Sequence, residues 1–206
     1  MKPNQEFNKL ASEKAIAKAV SSLERNGIKA IVAGNSGQAK KEALDIIPAG
    51  AEVFTATSQT AEVVSLAKEI NESGKYDSVR QKLMTMDRTT QSREMAKLGA
   101  APEFVVGSVH AVTEDGQLLI ASATGSQLPA ESYASEKVIF LVGTQKIVKN
   151  IQEGLRRIYE YSYPLEDVRA QKAYGMGSGV NKILIINKEV IPGRITVIFI
   201  KENLGF

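Results

Sequence analysis

The sequence predicts an α/β fold, with a mostly parallel sheet covered by helices and antiparallel strands added in its second half. Apolar runs of strand length alternate with stretches of helical periodicity through the first hundred residues, the order of a parallel sheet covered on both faces. Strand-like runs then crowd the second half, which is the source of the added antiparallel pairs. The length of 206 residues and 43% apolar composition are those of one compact core. A single domain over residues 1–206, with an N-terminal helix packed on it, is therefore expected.

Each element has its own signal. Phe7, Leu10, Ala11, Ala15, Ile16, Ala19, Val20 and Leu23 form a helical stripe within residues 5–26 that stops at Asn26-Gly27. IKAIVAG (28–34) reads as a buried strand, NSG as a turn, and 38–47 as a helix ended by Pro48. AEVFTA (51–56) repeats the strand, TSQT supplies capping hydroxyls, and 61–70 repeats the helix. Residues 71–87 turn polar and read as a loop or irregular helix, with a further helix over 89–98. EFVVGS (103–108) and QLLIAS (117–122) read as strands flanking a TEDG turn, and KVIFLVG ends a strand at Gly143. A helix over 147–161 is interrupted by Pro164, a short second helix runs to Lys172, and KILIIN and RITVIFI close the chain around a Pro-Gly turn.

Composition excludes several classes. With 26 basic against 23 acidic residues and no basic block interleaved with aromatics, nucleic acid is not an expected partner. The absence of cysteine removes disulfides, thiolate catalysis and any iron–sulfur cluster held by this chain's own thiolates. The polar start MKPNQEFNKLASEK has no apolar h-region and no apolar run reaches membrane length, so a cytoplasmic protein is expected. No cofactor is expected.

Chemistry concentrates in VGSVHAVTEDGQLLIASATGSQLP (106–129). His110 is the chain's one histidine and a candidate general acid or base, against the alternative of a structural hydrogen bonder. Glu114 is a candidate nucleophile or base if it points inward, and part of a solvated hairpin turn if it does not. Thr124, Gly125, Ser126 and Gln127 offer hydroxyls and N–H groups to an anion at a helix start. Ser58 is a cap or a ligand-binding hydroxyl, and Lys182 and Arg194 are cations suited to a bound carboxylate or phosphate. AGNSGQAKK (33–41) lacks the Walker A and GxGxxG spacings and reads as a plain strand-to-helix turn; AYGMGSGVNK (173–182) reads as a close backbone approach or a flexible link.

That central run, followed by KVIFLVGTQKIVKNIQEGLRRI and the tail PGRITVIFIKENLGF, resembles the LUD-domain family of lactate-utilization proteins of the LutC/YkgG type. The likeness covers roughly residues 10–206. It implies a three-layer α/β/α fold of the NagB/RpiA/CoA-transferase-like group and a place in the oxidation of lactate to pyruvate beside iron–sulfur partner subunits. VVGSVHAVTEDGQLL is also similar, more distantly, to a segment of sugar-phosphate isomerases and CoA transferases that puts His110 against an isomerase aspartate and Glu114 against a nucleophilic glutamate. The resulting expectation is a small anionic metabolite bound by Ser58, His110, Glu114, Thr124, Gly125, Ser126, Gln127 and Lys182. An acyl- or CoA-transferase or isomerase using Glu114 or His110 is the alternative, as is a non-catalytic assembly subunit. A protein of this class and size is compatible with a homodimer.

Overall fold

The computed structural model describes residues 2–206. In chain order it contains a 3-10 turn (Gln5–Asn8), α1 (Glu13–Arg25), β1 (Lys29–Ala33), α2 (Ser36–Ile46), β2 (Glu52–Thr55), α3 (Gln59–Val63), α4 (Leu66–Glu72), β3 (Asp77–Ser78) and α5 (Val79–Thr85). It continues through α6 (Ser92–Ala100), β4 (Phe104–Gly107), β5 (Ala111–Thr113), β6 (Leu118–Ser122), a π turn (Ala130–Ala134), β7 (Lys137–Gly143), a 3-10 turn (Thr144–Lys146) and β8 (Ile147–Val148). It ends with α7 (Ile151–Arg157), a second π turn (Ile158–Ser162), α8 (Tyr163–Tyr174), β9 (Lys182–Ile186) and β10 (Ile195–Ile200).

The fold is mixed α/β, as expected. Six strands form a parallel sheet in the order β1-β10-β7-β4-β2-β3, with β10 and β7 paired with each other in its interior. These two strands are apolar at nearly every position because both faces are covered. Val138, Phe140, Val197 and Phe199 pack with Ala19 and Leu23 of α1 on one face. Ile139, Leu141, Ile198 and Ile200 pack with Ala39 and Ala43 of α2 and Ala61, Leu66 and Ile70 of α3 and α4 on the other.

The antiparallel strands form a layer of their own. A second sheet, ordered β8-β5-β6-β9, pairs β5 with β6 and β6 with β9 antiparallel, and β5 with β8 parallel. Val112, Leu118 and Ile120 turn toward the face of the main sheet that α1 covers, while Ala111 and Leu119 turn the other way, onto Ile158 and Tyr161. This is the period-2 alternation of strands buried on both sides. The small sheet thus lies between the main sheet and the α7–α8 segment.

Several boundaries differ from expectation for local reasons. The stripe over 5–26 divides, since Asn4 caps the 3-10 turn and the Ser12 hydroxyl accepts from the Ala15 N–H to start α1 afresh. The expected helix over 61–70 breaks at Ser65, which adopts a left-handed conformation at φ 58°. The polar stretch 71–87 holds a short edge strand and α5, capped by Ser78. The TEDG turn joins β5 to β6, both in the small sheet, whereas the strand in EFVVGS belongs to the main one. Pro164 sits in the first turn of α8, and the π turn before it accommodates the missing N–H, so the helix runs on instead of stopping. Among the described residues no helix is long and apolar enough to cross a membrane.

Candidate functional site

Ligands of open parallel sheets bind beyond the carboxyl ends of the strands. Here the segments that leave those ends carry Thr60, Ser108, His110, Gln145 and Lys146. After β7 a 3-10 turn folds Lys146 inward until it is 1% exposed. Its Nζ donates to Thr60 Oγ1 at 3.1 Å and Ser108 Oγ at 3.0 Å, hydroxyls rather than carboxylates. Burial, and then the charge of Arg157, hold its pKa well below that of a free lysine.

Arg157, the last residue of α7, is completely buried. Nη1 donates to the His110 carbonyl and, at 3.0 Å, to Ser162 Oγ, and the guanidinium lies 5.1 Å from the centre of the Tyr161 ring. Nε and Nη2 are buried without a hydrogen-bond partner among the described residues. Desolvation lowers the pKa of this guanidinium to about 10, which still leaves it charged at neutral pH.

His110 stands at the mouth of the small sheet. Its backbone N–H donates to the Leu119 carbonyl at 2.8 Å, and its Nδ1 accepts from the Ala121 N–H at 3.1 Å. Burial, with the positive charges of Lys146 and Arg157, pushes its pKa down to about 3. The ring is therefore neutral at pH 7, and because Nδ1 is an acceptor the proton resides on Nε2. Held neutral, the ring offers Nε2–H as a hydrogen-bond donor, the structural alternative weighed for His110 in the sequence.

The other expected residues are distributed differently. Ser58 caps α3, accepting from the Ala61 N–H at 3.3 Å. Glu114 points to α1 and pairs with Lys18 Nζ at 3.0 Å. It lies at the far end of β5 from His110, about 13 Å along the strand at roughly 3.3 Å per residue, so the two do not act on one ligand atom. The turn it belongs to is clamped by Asn26, whose Nδ2 donates to the carbonyls of Asp115 and Gly116 at 3.0 and 3.1 Å.

Thr124, Gly125, Ser126, Gln127 and Lys182 do come together, at the β6–β9 end. The Lys182 stem covers Gly125, where a Cβ would lie 2.6 Å from Lys182 Cδ. Yet the N–H groups of Gly125, Ser126 and Leu128 donate to Ser122, Thr124 and the Gly125 carbonyl, and the Gln127 side chain accepts from Ser122. The loop satisfies itself, and it leads into a π turn, not a long helix. Arg194 is likewise committed: it pairs with Glu189 at 2.6 Å and donates to the carbonyls of Glu131, Ser132 and Ser135.

Sequence reasoning singled out Thr60 with Ser58 as candidate hydroxyls but missed Lys146, Arg157 and Ser108. Two signals were available: Lys146 comes three residues after the apolar strand β7, and Arg157 falls three residues after Gly154 and four before Tyr161, both buried. No group of three or more metal-ligating side chains occurs among the described residues. A cavity of about 130 Å³ lies beside the N-terminal 3-10 turn, lined by Glu6, Phe7, Gln145, Val148, Glu153 and Arg156 among others and by none of His110, Lys146 and Arg157.

No functionally curated protein matches the chain. Among solved structures it is similar to a DUF162 family protein from Deinococcus radiodurans, with a TM-score of 0.56 at 12% identity, covering 93% of this chain and 99% of that one. The family model described as the LUD domain matches residues 16–200, nearly the whole of both sheets. The chain belongs to the LUD-domain family.

Proposed function

We propose that this protein binds a small anionic metabolite at the carboxyl edge of its main sheet, through His110, Lys146 and Arg157, in support of the oxidation of lactate to pyruvate. Family membership suggests a role related to lactate utilization. One observation carries the site: two fully buried basic side chains, Arg157 charged, whose hydrogen-bond partners are hydroxyls and a carbonyl. Burying a charge without a counter-charge is expensive, and an anion offsets that expense when it binds. Iron–sulfur partner subunits belong to this reading as its electron acceptors, since this chain has no cysteine to hold a cluster of its own.

Thermal unfolding against lactate, pyruvate, phosphosugars, CoA thioesters and nucleotides tests the reading. A ligand at about 100 times its Kd adds roughly 2.7 kcal/mol, a shift of several degrees for a chain of this size. Lys146→Met should abolish the shift while leaving the protein folded, since an apolar chain of similar length replaces a buried amine. If no anion shifts the wild-type protein while a partner complex still assembles, the assembly-subunit role replaces this one.

A further inference from the structure

The two end strands of the main sheet are finished differently. At one end β3 is two residues long and carries Asp77 paired with Lys82, a short charged strand that discourages further pairing. At the other, β1 runs for five residues with one charge, no proline and an unbroken register against β10. Successive residues of a strand turn their N–H and C=O groups to alternate sides. The Ala33 carbonyl accepts from the Lys201 N–H, just past β10, at 3.1 Å, so Lys29, Ile31 and Ala33 address β10 while Ala30 and Val32 address the open side. Beyond the two ends of β1 the outward N–H groups are used inside the chain: Ile28 donates to the Leu23 carbonyl and Gly34 to Gln38 Oε1, both at 2.9 Å. Those of Ala30 and Val32 have no loop or side-chain acceptor among the described residues. The Val32 side chain is also left 36% exposed.

We propose that β1 is a docking edge for a second copy of this chain, the two β1 strands pairing antiparallel about a twofold axis at Ile31 so that the main sheets become one. The open groups fit that operation. Ala30 and Val32 of each copy exchange both main-chain bonds with Val32 and Ala30 of the other, and the two Ile31 residues meet at the axis as a pair without bonds between them. Lys29 falls opposite Ala33, so no like charges face one another. The engaged N–H groups of Ile28 and Gly34 end the seam on either side. Side chains alternate across it: Ile31 packs with the α2 side of the core and Ala30 with the α1 side, which Val32 shares and where pairing covers it. A twofold contact consumes the β1 edge of both copies and leaves a short, charged β3 at each end, so assembly closes at two instead of running on. It is this self-complementarity that selects a second copy over a strand from another protein.

The test is the oligomeric state of the full chain and its register. In sedimentation the wild-type protein should be a dimer that dissociates on dilution. Val32→Pro deletes an outward N–H and no bond of the sheet's own, so it should give a monomer that still melts cooperatively. Because the chain has no cysteine, one introduced thiol reports the register. Ile31→Cys should cross-link to a disulfide-bonded dimer on mild oxidation, since the Cα atoms of such a facing pair lie about 4.5 Å apart, within disulfide reach. Lys29→Cys, roughly 13 Å from its twin along the strands, should not. In the wild-type protein the Ala30 and Val32 amides should exchange more slowly as its concentration rises, which decides the matter if a variant fails to fold. A monomer at every concentration overturns the proposal and leaves the edge to a strand of another protein. So does a dimer that Val32→Pro does not dissociate, or one in which Lys29→Cys cross-links as readily as Ile31→Cys.

Discussion

His110, Lys146 and Arg157 each act through the environment that other residues impose on them. For His110 the consequence is measurable as pH dependence. An unfolded chain protonates its imidazole near pH 6.5, whereas the folded one resists until about pH 3. Between those values the unfolded state binds the extra proton, so this contribution is fully present above pH 6.5 and is lost as the pH falls toward 3. The slope for one proton is about 1.4 kcal/mol per pH unit. Glu131 acts in the opposite sense: burial raises its pKa, so its contribution is present at low pH and is lost as the pH rises through its folded value. His110→Asn, whose side-chain oxygen can still accept from the Ala121 N–H, isolates the first effect. Unfolding curves from pH 7 to 4 should be flatter for that variant than for the wild-type protein. Parallel curves would mean that His110 is not held neutral.

At the scale of elements, the TEDG turn shows how one motif supports two different readings. Asp115-Gly116 marks a hairpin in sequence, and a hairpin forms. What the sequence leaves open is the surface the turn meets. At Gly116 (φ 81°) a Cβ would lie 2.7 Å from the Ser22 carbonyl carbon and 2.8 Å from the Leu23 nitrogen, so the turn is docked against the backbone of α1. Gly116→Ala combines a left-handed residue with a backbone clash and should destabilise by about 2–4 kcal/mol. Gly50, at φ 83° with nothing within 4 Å of a Cβ, is the control. Gly50→Ala should lose only about 1 kcal/mol, the conformational part alone. Equal losses in thermal melts would show that the α1 contact is not what holds the turn. The same docking directs Glu114 to Lys18 and away from His110, which periodicity and turn chemistry have no means of anticipating.

For the molecule as a whole, the C-terminal segment closes the carboxyl edge. The Leu204 carbonyl accepts from Thr60 Oγ1 at 3.2 Å and Gln145 Nε2 at 2.9 Å, Asn203 Nδ2 donates to the Asn8 carbonyl at 2.6 Å, and Leu204 is buried against the α2–α4 side of the sheet. Thr60 therefore links this strap to Lys146, since one hydroxyl accepts from the amine and donates to the strap. Removing Leu204–Phe206 should cost about 2–5 kcal/mol, by analogy with truncating a buried leucine, and melt about 5–15 °C lower. It should also speed amide exchange in the Gln145–Ile147 segment. An unchanged melting temperature would show that the strap is not part of the edge.

By itself the sequence determined the alternation of strands and helices, the parallel main sheet and the family. Those come from periodicity, capping hydroxyls and ordered motifs, all of which act over a few residues. It also pointed to the loop holding His110. Only the tertiary structure decided that β9 and β10 belong to different sheets, that Glu114 faces α1, and that Lys146 is buried on Thr60 and Ser108. Strand assignment depends on which edges are available once the chain has collapsed. A buried cation is written in sequence with the same letter as a solvated one; what distinguishes it is the set of distant groups, here Thr60, Ser108 and Ser162, that fold around it.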